Sequence, residues 1–383
     1  MTVDCALDGP TALELMSRQP YDMVLLDIMM PKMDGLEVLR HIRQTHSATD
    51  LPVVMATAKD ESRDIVEAFG VGANDYITKP LDLPVLLARL RTQISLKSAV
   101  EEIRRLEHGL ADRNRELHQA NARMQKHLDA AAVVQRALLP EKPPSALGYR
   151  FAWNFQPCAG LAGDSLNLFA LEDGKIGLYV LDVSGHGVAA SLLSVTVSRF
   201  LSANPDPSSM LWRAADLSRL ESENTLTLES PARVAERLSW RFPFDYATGQ
   251  YFTMMYGILD AREHRLTYTS AGHPNLVRVP RGQRPLLLPA CGFPIGIMPG
   301  QYDEYTIDLE PGDRLYIHSD GFSEALNPAG ELFGVSRLMD LLESTRARPL
   351  EDCLAHLSEH VNSWSANDDT RDDQTILAIE RIE

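Results

Sequence analysis

Leu181-Asp182-Val183-Ser184-Gly185-His186-Gly187 decides how the larger part of this chain is read. The apolar run Ile176-Gly177-Leu178-Tyr179-Val180 delivers it as a strand end, and a helical pattern from Val188 to Phe200 follows the glycine turn. A carboxylate at a strand end, beside a permissive backbone, is placed to hold a hard metal ion. Taken alone, Asp182 could equally be a solvated cap on the next helix. Other aspartates in matching contexts change the balance. Asp164 lies in Gly163-Asp164-Ser165, just ahead of an apolar stretch. Asp320 follows the strand-like Leu315-Tyr316-Ile317-His318-Ser319, and Asp372 and Asp373 open a last strand, Gln374-Thr375-Ile376-Leu377-Ala378-Ile379.

Working outward, 383 residues suffice for two or three domains, and 44% apolar content supplies real cores. The net charge of −16 argues against nucleic acid or an anionic membrane as partner, and it suits carboxylates gathered around divalent cations. The cysteines at 5, 158, 291 and 353 form no Cys-x-x-Cys pair, so neither a zinc site nor a disulfide framework is expected. No apolar run reaches the ~20 residues that span a bilayer, and no charged-then-apolar leader opens the chain. A reducing cytoplasm is the expected compartment.

The aspartates sit in a longer series. It comprises Val134-Gln135-Arg136-Ala137-Leu138-Leu139-Pro140, Ala162-Gly163-Asp164, Asp182-Val183-Ser184-Gly185-His186-Gly187, Ala271-Gly272-His273-Pro274, Ser319-Asp320-Gly321-Phe322-Ser323-Glu324-Ala325 and Asp372-Asp373-Gln374-Thr375. Any one is weak; together, and in this order, they are specific. The region from about Ala131 onward resembles the metal-dependent (PPM-type) protein Ser/Thr phosphatases, and more narrowly the bacterial branch acting on anti-sigma-factor antagonists. The resemblance implies an α-β-β-α sandwich and a pair of Mn²⁺ or Mg²⁺ ions. It also implies that Asp182 bridges the two ions. The Val183 carbonyl and Asp164 would serve one ion, and Asp320 and Asp372 the other, with Asp373 the alternative to Asp372. The chemistry agrees, since a phosphomonoester dianion repels hydroxide and two cations can bind it and acidify a water. Ser184 and Ser319 then become structural. Asn167 stands where many relatives have a second aspartate. His186 and His273 could be general acids, or could simply pack in glycine turns. Helices are expected at Val188–Leu201, Pro231–Trp240, Val335–Leu342 and around Leu350–Val361, with residues 203–230 a flexible or helical insertion.

The first ninety residues alternate strand and helix: Tyr21-Asp22-Met23-Val24-Leu25-Leu26-Asp27, then Leu36 to Ile42, then Leu51 to Ala56 ending at Thr57, then Asp75-Tyr76-Ile77 before Thr78-Lys79-Pro80. Alternation of this kind predicts a parallel α/β sheet, whose strand C-termini converge. Asp27, Thr57 and Lys79 all fall there. This trio resembles the two-component receiver, which implies that Asp27 accepts a phosphoryl group from a histidine kinase, Thr57 bonds it, Lys79 neutralises it, and Tyr76 is the aromatic reporter. The opening Met1-Thr2-Val3-Asp4-Cys5-Ala6-Leu7-Asp8-Gly9 resembles the family's second strand. The first strand, first helix and Mg²⁺-binding acidic pair have no counterpart. A missing central strand leaves unpaired edges, which favours a truncated sequence of an intact, Mg²⁺-using receiver over a decayed one.

Between these regions, Leu96, Ile103, Leu110, Leu117, Met124, Ala131 and Leu138 recur every seven residues. Companion positions Ala99, Leu106, Arg113, Ala120, His127 and Val134 are mixed. This predicts a coiled-coil helix over Leu83–Leu139 that pairs two copies of the chain and tolerates polar interruptions; the alternative is a single helix lying on its own domains. The fold class expected is thus multidomain α/β plus α+β: a truncated doubly wound receiver (1–95), a helical linker (96–139) and a sandwich phosphatase (140–383). The function expected is a phosphorylation-regulated, homodimeric phosphatase working by two-metal hydroxide attack on a phosphorylated anti-sigma-factor antagonist. Its rivals are a catalytically decayed dimeric adaptor and a phosphatase with another substrate.

Overall fold

Buried apolar runs that end in polar residues organise the first part of the chain. The computed structural model describes residues 2–58, 62–158, 160–206, 208–214, 226–246, 249–365 and 372–382. The chain divides into two units, Met1–Asn121 and Ala122–Glu383. The first contains α1 (Gly9–Arg18), β1 (Val24–Asp27), α2 (Gly35–Thr45), β2 (Val53–Thr57), α3 (Ser62–Val71), β3 (Asp75–Thr78) and the start of α4 (Leu83–Arg136). The strands form a parallel sheet in the order β1-β2-β3. Strand β2 is buried along its whole length, as its near-continuous apolar sequence requires. Leu39, Ile42, Val53 and Met55 pack on one face of the sheet. Val54, Ala56 and Ile77 pack on the other, against Leu86 and Leu90 of α4. A capping box between Asp34 and Glu37 starts α2.

The expected strand at the opening does not form. Residues 2–6 carry no sheet pairing and residues 2–5 are exposed. A strand needs a neighbour for its backbone N–H and C=O groups. Here the segment is held by a side chain instead: Asp4 accepts from the Gln19 amide at 2.6 Å and the Tyr21 hydroxyl at 2.9 Å.

The second unit is a sandwich of two antiparallel sheets. Its elements are β4 (Tyr149–Gln156), β5 (Ser165–Ala170), β6 (Lys175–Val183), α5 (Val188–Phe200), β7 (Trp212–Ala214), β8 (Leu226–Leu228), α6 (Pro231–Arg241), β9 (Phe252–Asp260), β10 (Arg265–Ala271), β11 (Val277–Val279), β12 (Leu286–Leu287), β13 (Tyr305–Asp308), β14 (Arg314–His318), α7 (Asp320–Ser323), α8 (Gly334–Ser344), α9 (Leu350–Trp364) and β15 (Gln374–Arg381). One sheet runs β13-β10-β9-β6-β5 and the other β12-β11-β14-β15-β4. Alternation along each strand sends side chains to opposite faces. Leu178 and Val180 of β6 meet Leu315, Ile317, Leu377 and Ile379 between the sheets. Tyr179 and Leu181 face outward, under Ala190 and Val197 of α5 and Val234 and Leu238 of α6. On the far side Tyr316, Ile376 and Ala378 are covered by Leu338, Leu342, Leu354 and Leu357 of α8 and α9. This is the expected α-β-β-α layering.

The segment expected as a flexible or helical insertion instead carries the antiparallel pair β7–β8 at its described ends; residues 215–225 lie outside the described residues. Trp212 anchors it, 2% exposed, with its indole N–H donating to Ala203 O at 3.2 Å. That buried ring ties β7 to the end of α5.

Helix α4 matches the expected rod. Its heptad residues Leu96, Ile103, Leu110, Leu117 and Met124 are all exposed. Among the described residues no helix is long and apolar enough to cross a membrane.

Ile317 is fully buried between the sheets, three residues before Asp320. Ile317→Ala should lower the unfolding free energy of this unit by roughly 2–5 kcal/mol through lost burial and a residual cavity. Denaturant unfolding would read it, and a loss below about 1 kcal/mol would contradict the inter-sheet packing.

Candidate metal centre

Strand register puts the sequence-selected aspartates at one end of the sandwich. Ser165 pairs with Leu181 across β5 and β6, so Asp164 and Asp182 are the next cross-strand pair. In the other sheet His318 pairs with Ile376 across β14 and β15; Asp320 leaves one strand as Asp372 enters the other. Strand β15 also packs against β5 and β6. Each sheet therefore contributes two carboxylates to a shared rim.

The electrostatics record the crowding. Burial and then the Asp320 and Asp372 charges push Asp182 up to about 7. Burial, then Asp372 and Glu324, push Asp320 up to about 6. Asp164 is raised by burial and then by Asp182, and Asp372 is raised by burial. Asp164 is 1% exposed, yet neither of its carboxylate oxygens accepts a hydrogen bond. A buried, unpartnered carboxylate among like charges is costly unless a cation joins it. The donor set is oxygen-rich, which suits Mg²⁺ or Mn²⁺. The oxygen donors and the buried, unpartnered Asp164 thus fit a divalent cation in chemistry; among the described residues the ligand atoms that lie within 4.8 Å of one another are those of Cys158, Asp372 and Asp373.

Neighbouring aspartates that could not be separated by sequence behave differently here. Asp373 is buried and accepts three backbone N–H groups: Cys158 at 2.8 Å, Gly163 at 2.6 Å and Asp164 at 3.4 Å. Asp372 is exposed at the rim, and its Oδ1 accepts from Asp373 N at 2.8 Å. Two motif glycines have steric reasons. A Cβ on Gly321 would lie 2.1 Å from Asp373 O, and one on Gly163 would lie 2.9 Å from Val183 O. Either would push apart the strands that bring the carboxylates together.

Both motif serines are engaged by backbone. Ser184 Oγ accepts from Tyr251 N at 3.0 Å, while Ser319 Oγ donates to Asp373 O at 3.1 Å and accepts from Thr375 N at 3.0 Å. His273 is buried, its Nδ1 is 2.9 Å from Thr253 Oγ1, and burial followed by His318 lowers it to about 3. Burial thus favours its neutral form. His186 is exposed and favours the ionised form of Asp372. Asn167 lies on β5 opposite Tyr179 and bonds Leu168 N at 2.8 Å. Cys158, given no role by spacing, lies with Asp372 and Asp373 in a group whose ligand atoms are within 4.8 Å of one another. Burial, then Asp373 and Asp372, push its thiol up to about 12. Only long-range folding unites these positions, so no sequence window contains the signal.

In the other unit, register again gathers strand ends. Asp27 pairs with Ala56 and Thr57 with Thr78. Asp27 forms an ion pair with Lys79. Thr57 is buried, its carbonyl accepts from Lys79 N at 2.8 Å, and its hydroxyl donates to Ala58 O at 3.3 Å. Tyr76 stands edge-on to Phe69 and under Arg89. Asp8 is engaged by Thr11 and Lys32. Among the described residues the grouping of potential metal ligands lies in the other unit.

Comparison with known proteins agrees with this division. A family model described as Stage II sporulation protein E (SpoIIE) matches residues 172–382, and one described as the response regulator receiver domain matches residues 1–91. The chain is 41% identical to response regulator PleD of Caulobacter vibrioides over 105 residues, 27% of this chain and 23% of PleD. It is 46% identical to response regulator ArlR of Staphylococcus epidermidis over 90 residues, 24% of this chain and 40% of ArlR. The chain thus spans less than half the length of these relatives. The SiaA-PP2C domain of Pseudomonas aeruginosa matches with a TM-score of 0.55 and 22% identity, covering 69% of this chain and 99% of that one; at that identity the likeness is one of fold.

Raised carboxyl values make a stability prediction for the metal-free chain. The folded state holds these protons to higher pH than the unfolded state, whose carboxyls titrate near the ordinary 3.8. Stability is thus fully present below that value and falls as pH rises through about 6 and 7. In excess chelator the unfolding midpoint should drop between about pH 5 and pH 8, and Asp182→Asn should flatten that slope. A midpoint that rises over the same range would contradict the cluster.

Proposed function

Because the chain belongs to the stage II sporulation protein E (SpoIIE) family and carries a receiver domain, we propose that it is a receiver-regulated, metal-dependent protein Ser/Thr phosphatase. The carrying observation is the rim where Asp164 and Asp182 of one sheet meet Asp320 and Asp372 of the other, with Asp164 buried and unpartnered. The residues that would hold Mn²⁺ or Mg²⁺ are Asp182 as the bridge, Asp164 and the Val183 carbonyl for one ion, and Asp320 and Asp372 for the other. Bound there, the pair of ions supplies charge neutralisation for a phosphomonoester dianion and a water acidified for attack. Asp373, occupied by three backbone donors, positions the Gly163–Asp164 turn and is not a ligand in this reading. Ser184 and Ser319, engaged by backbone, do not act as nucleophiles, so hydrolysis is direct.

The proposed substrate is phosphoserine or phosphothreonine on a partner protein, and the motif series favours an anti-sigma-factor antagonist. The proposed input is a histidine kinase acting on Asp27, beside Lys79 and Thr57, with Tyr76 as reporter. Phosphorylation would add about −1.5 to −2 charge where Lys79 stands. The boundaries proposed are a receiver over 1–95, a linker over 96–139 and a phosphatase domain over 140–383. The exposed heptad stripe of α4 supports pairing with a second copy of the chain, because an unburied row of Leu, Ile and Met is stabilised by an identical row.

With Mn²⁺ and a phosphoserine protein, Asp182→Asn and Asp320→Asn should each lose at least about a hundredfold in turnover, since each removes a charge that holds a cation. Wild-type turnover in either variant would overturn the two-metal assignment. Activity absent even in the wild-type chain across phosphoproteins would favour the adaptor instead. Separately, Leu110→Lys with Leu117→Lys should shift sedimentation from dimer to monomer, each change placing a charge in the seam; a wild-type chain already monomeric at micromolar concentration would count against pairing.

A further inference from the structure

Of the 11 histidines in the chain, only His356 and His360 stand four residues apart. Both lie on α9, in His356-Leu357-Ser358-Glu359-His360. Four residues is about one turn of helix, so the two rings share a face. Their centroids are 4.3 Å apart, with the ring planes at 62°. Leu354, Leu357 and Val361 of α9 pack into the core over Ile376 and Ala378. The histidine pair stands away from that row, with His356 half-buried and His360 exposed.

The surroundings of both rings suit a neutral imidazole acting as a ligand. His360 Nδ1 is 3.2 Å from His356 O. A carbonyl only accepts, so in the neutral ring Nδ1 carries the proton and Nε2 keeps its lone pair. An imidazole that binds a metal is ordinarily held in this way, with its other N–H on a carbonyl or carboxylate behind it. Lost hydration, then Arg348 and His360, lower His356 below the ordinary imidazole value, against the opposing pull of Glu359. Metal binding needs the uncharged ring, and these neighbours favour it. Asp340 and Ser344 of α8 line an open groove together with His360, so oxygen donors stand beside the pair.

We propose that His356 and His360 form a Zn²⁺ site on the solvent side of α9, with the two imidazoles as protein ligands and water completing the coordination. The site shares no residue with the aspartate rim and does not depend on the two-metal reading. Its chemistry also differs. Imidazole nitrogen suits Zn²⁺ and Cu²⁺, whereas Mg²⁺ prefers carboxylate and water oxygens. The two rings can reach one ion only while the turn between them is helical. Binding therefore stabilises α9, the last helix before β15, by mass action on the folded form.

The test is calorimetric titration of Zn²⁺ into the full chain in excess Mg²⁺, with folding checked by circular dichroism. His356→Gln and His360→Gln should each weaken one Zn²⁺ binding event by roughly a hundredfold, because each removes the second arm of a chelate. Glutamine is a good helix former, so both variants should fold. Asp182→Asn, altered at the rim, should keep the event. Cu²⁺ serves as a spectroscopic substitute: electron paramagnetic resonance should show two imidazole nitrogens on the ion in the wild-type chain and one in each histidine variant. Zn²⁺ should also slow hydrogen exchange of the amides of residues 356–364 in the wild-type chain and leave them unchanged in His360→Gln. Zn²⁺ binding that is lost in Asp182→Asn and untouched in both histidine variants belongs to the rim and overturns the site. A wild-type Cu²⁺ spectrum with fewer than two imidazole nitrogens, or no Zn²⁺ binding at all, overturns it too.

Discussion

Burial of carboxylates beside one another at one rim of the sandwich is the constraint on which the second unit depends. Asp164, Asp182, Asp320 and Asp372 each arrive at a strand end, two from each sheet, and each is held above its ordinary titration range. Nothing about isolated strands favours that convergence. It is tolerated because the apolar interior between the sheets, with Leu178, Val180, Ile317 and Leu377 at its centre, fixes the strand ends regardless of charge. Positive charge entering the rim would relieve the repulsion among these carboxylates.

The turn carrying Asp164 shows how such a site is kept open. In a sheet, backbone groups satisfy one another and side chains are free to vary. Here the turn lies outside the ladder, and Gln135, Asp373 and Ser194 supply the missing partners. Asp373 has a double role in the local electrostatics. It raises Asp164 by its charge while its own oxygens are occupied by N–H dipoles. Gly321 and Gly163 complete the arrangement by leaving room for Asp373 O and Val183 O.

The receiver unit reuses the same economy of means. Parallel pairing aligns strand C-termini, so Asp27, Thr57 and Lys79, separated in sequence by tens of residues, reach one edge without any local device. The alternating apolar and helical pattern was enough to place all three, because in a parallel sheet the end of a strand is a position in space as well as in sequence. The same reasoning failed for the opening residues. Their pattern resembles a strand, but strand formation depends on a neighbour, and side chains of Gln19 and Tyr21 hold Asp4 instead. Within 203–230 that reasoning missed the antiparallel pairing of β7 with β8, beside the buried Trp212, among the described residues.

By itself the sequence determined most of the elements and their chemistry: the long buried strands of both units, that the helix from Leu83 is continuous and carries a heptad stripe, and that aspartates stand at strand ends beside glycines. Those properties follow from periodicity and from local backbone preference, which act over a few residues. Only the tertiary structure distinguished Asp372 from Asp373, retired His273 to the core, placed Cys158 beside the rim, and gave Gln135 its hold on Ala162. Each of those depends on which groups from distant strands and helices exhaust a side chain's hydrogen-bonding capacity or strip its water. Burial and partner choice are properties of the packed whole, and adjacent aspartates with identical chemistry become different only when one faces three N–H groups and the other faces the rim.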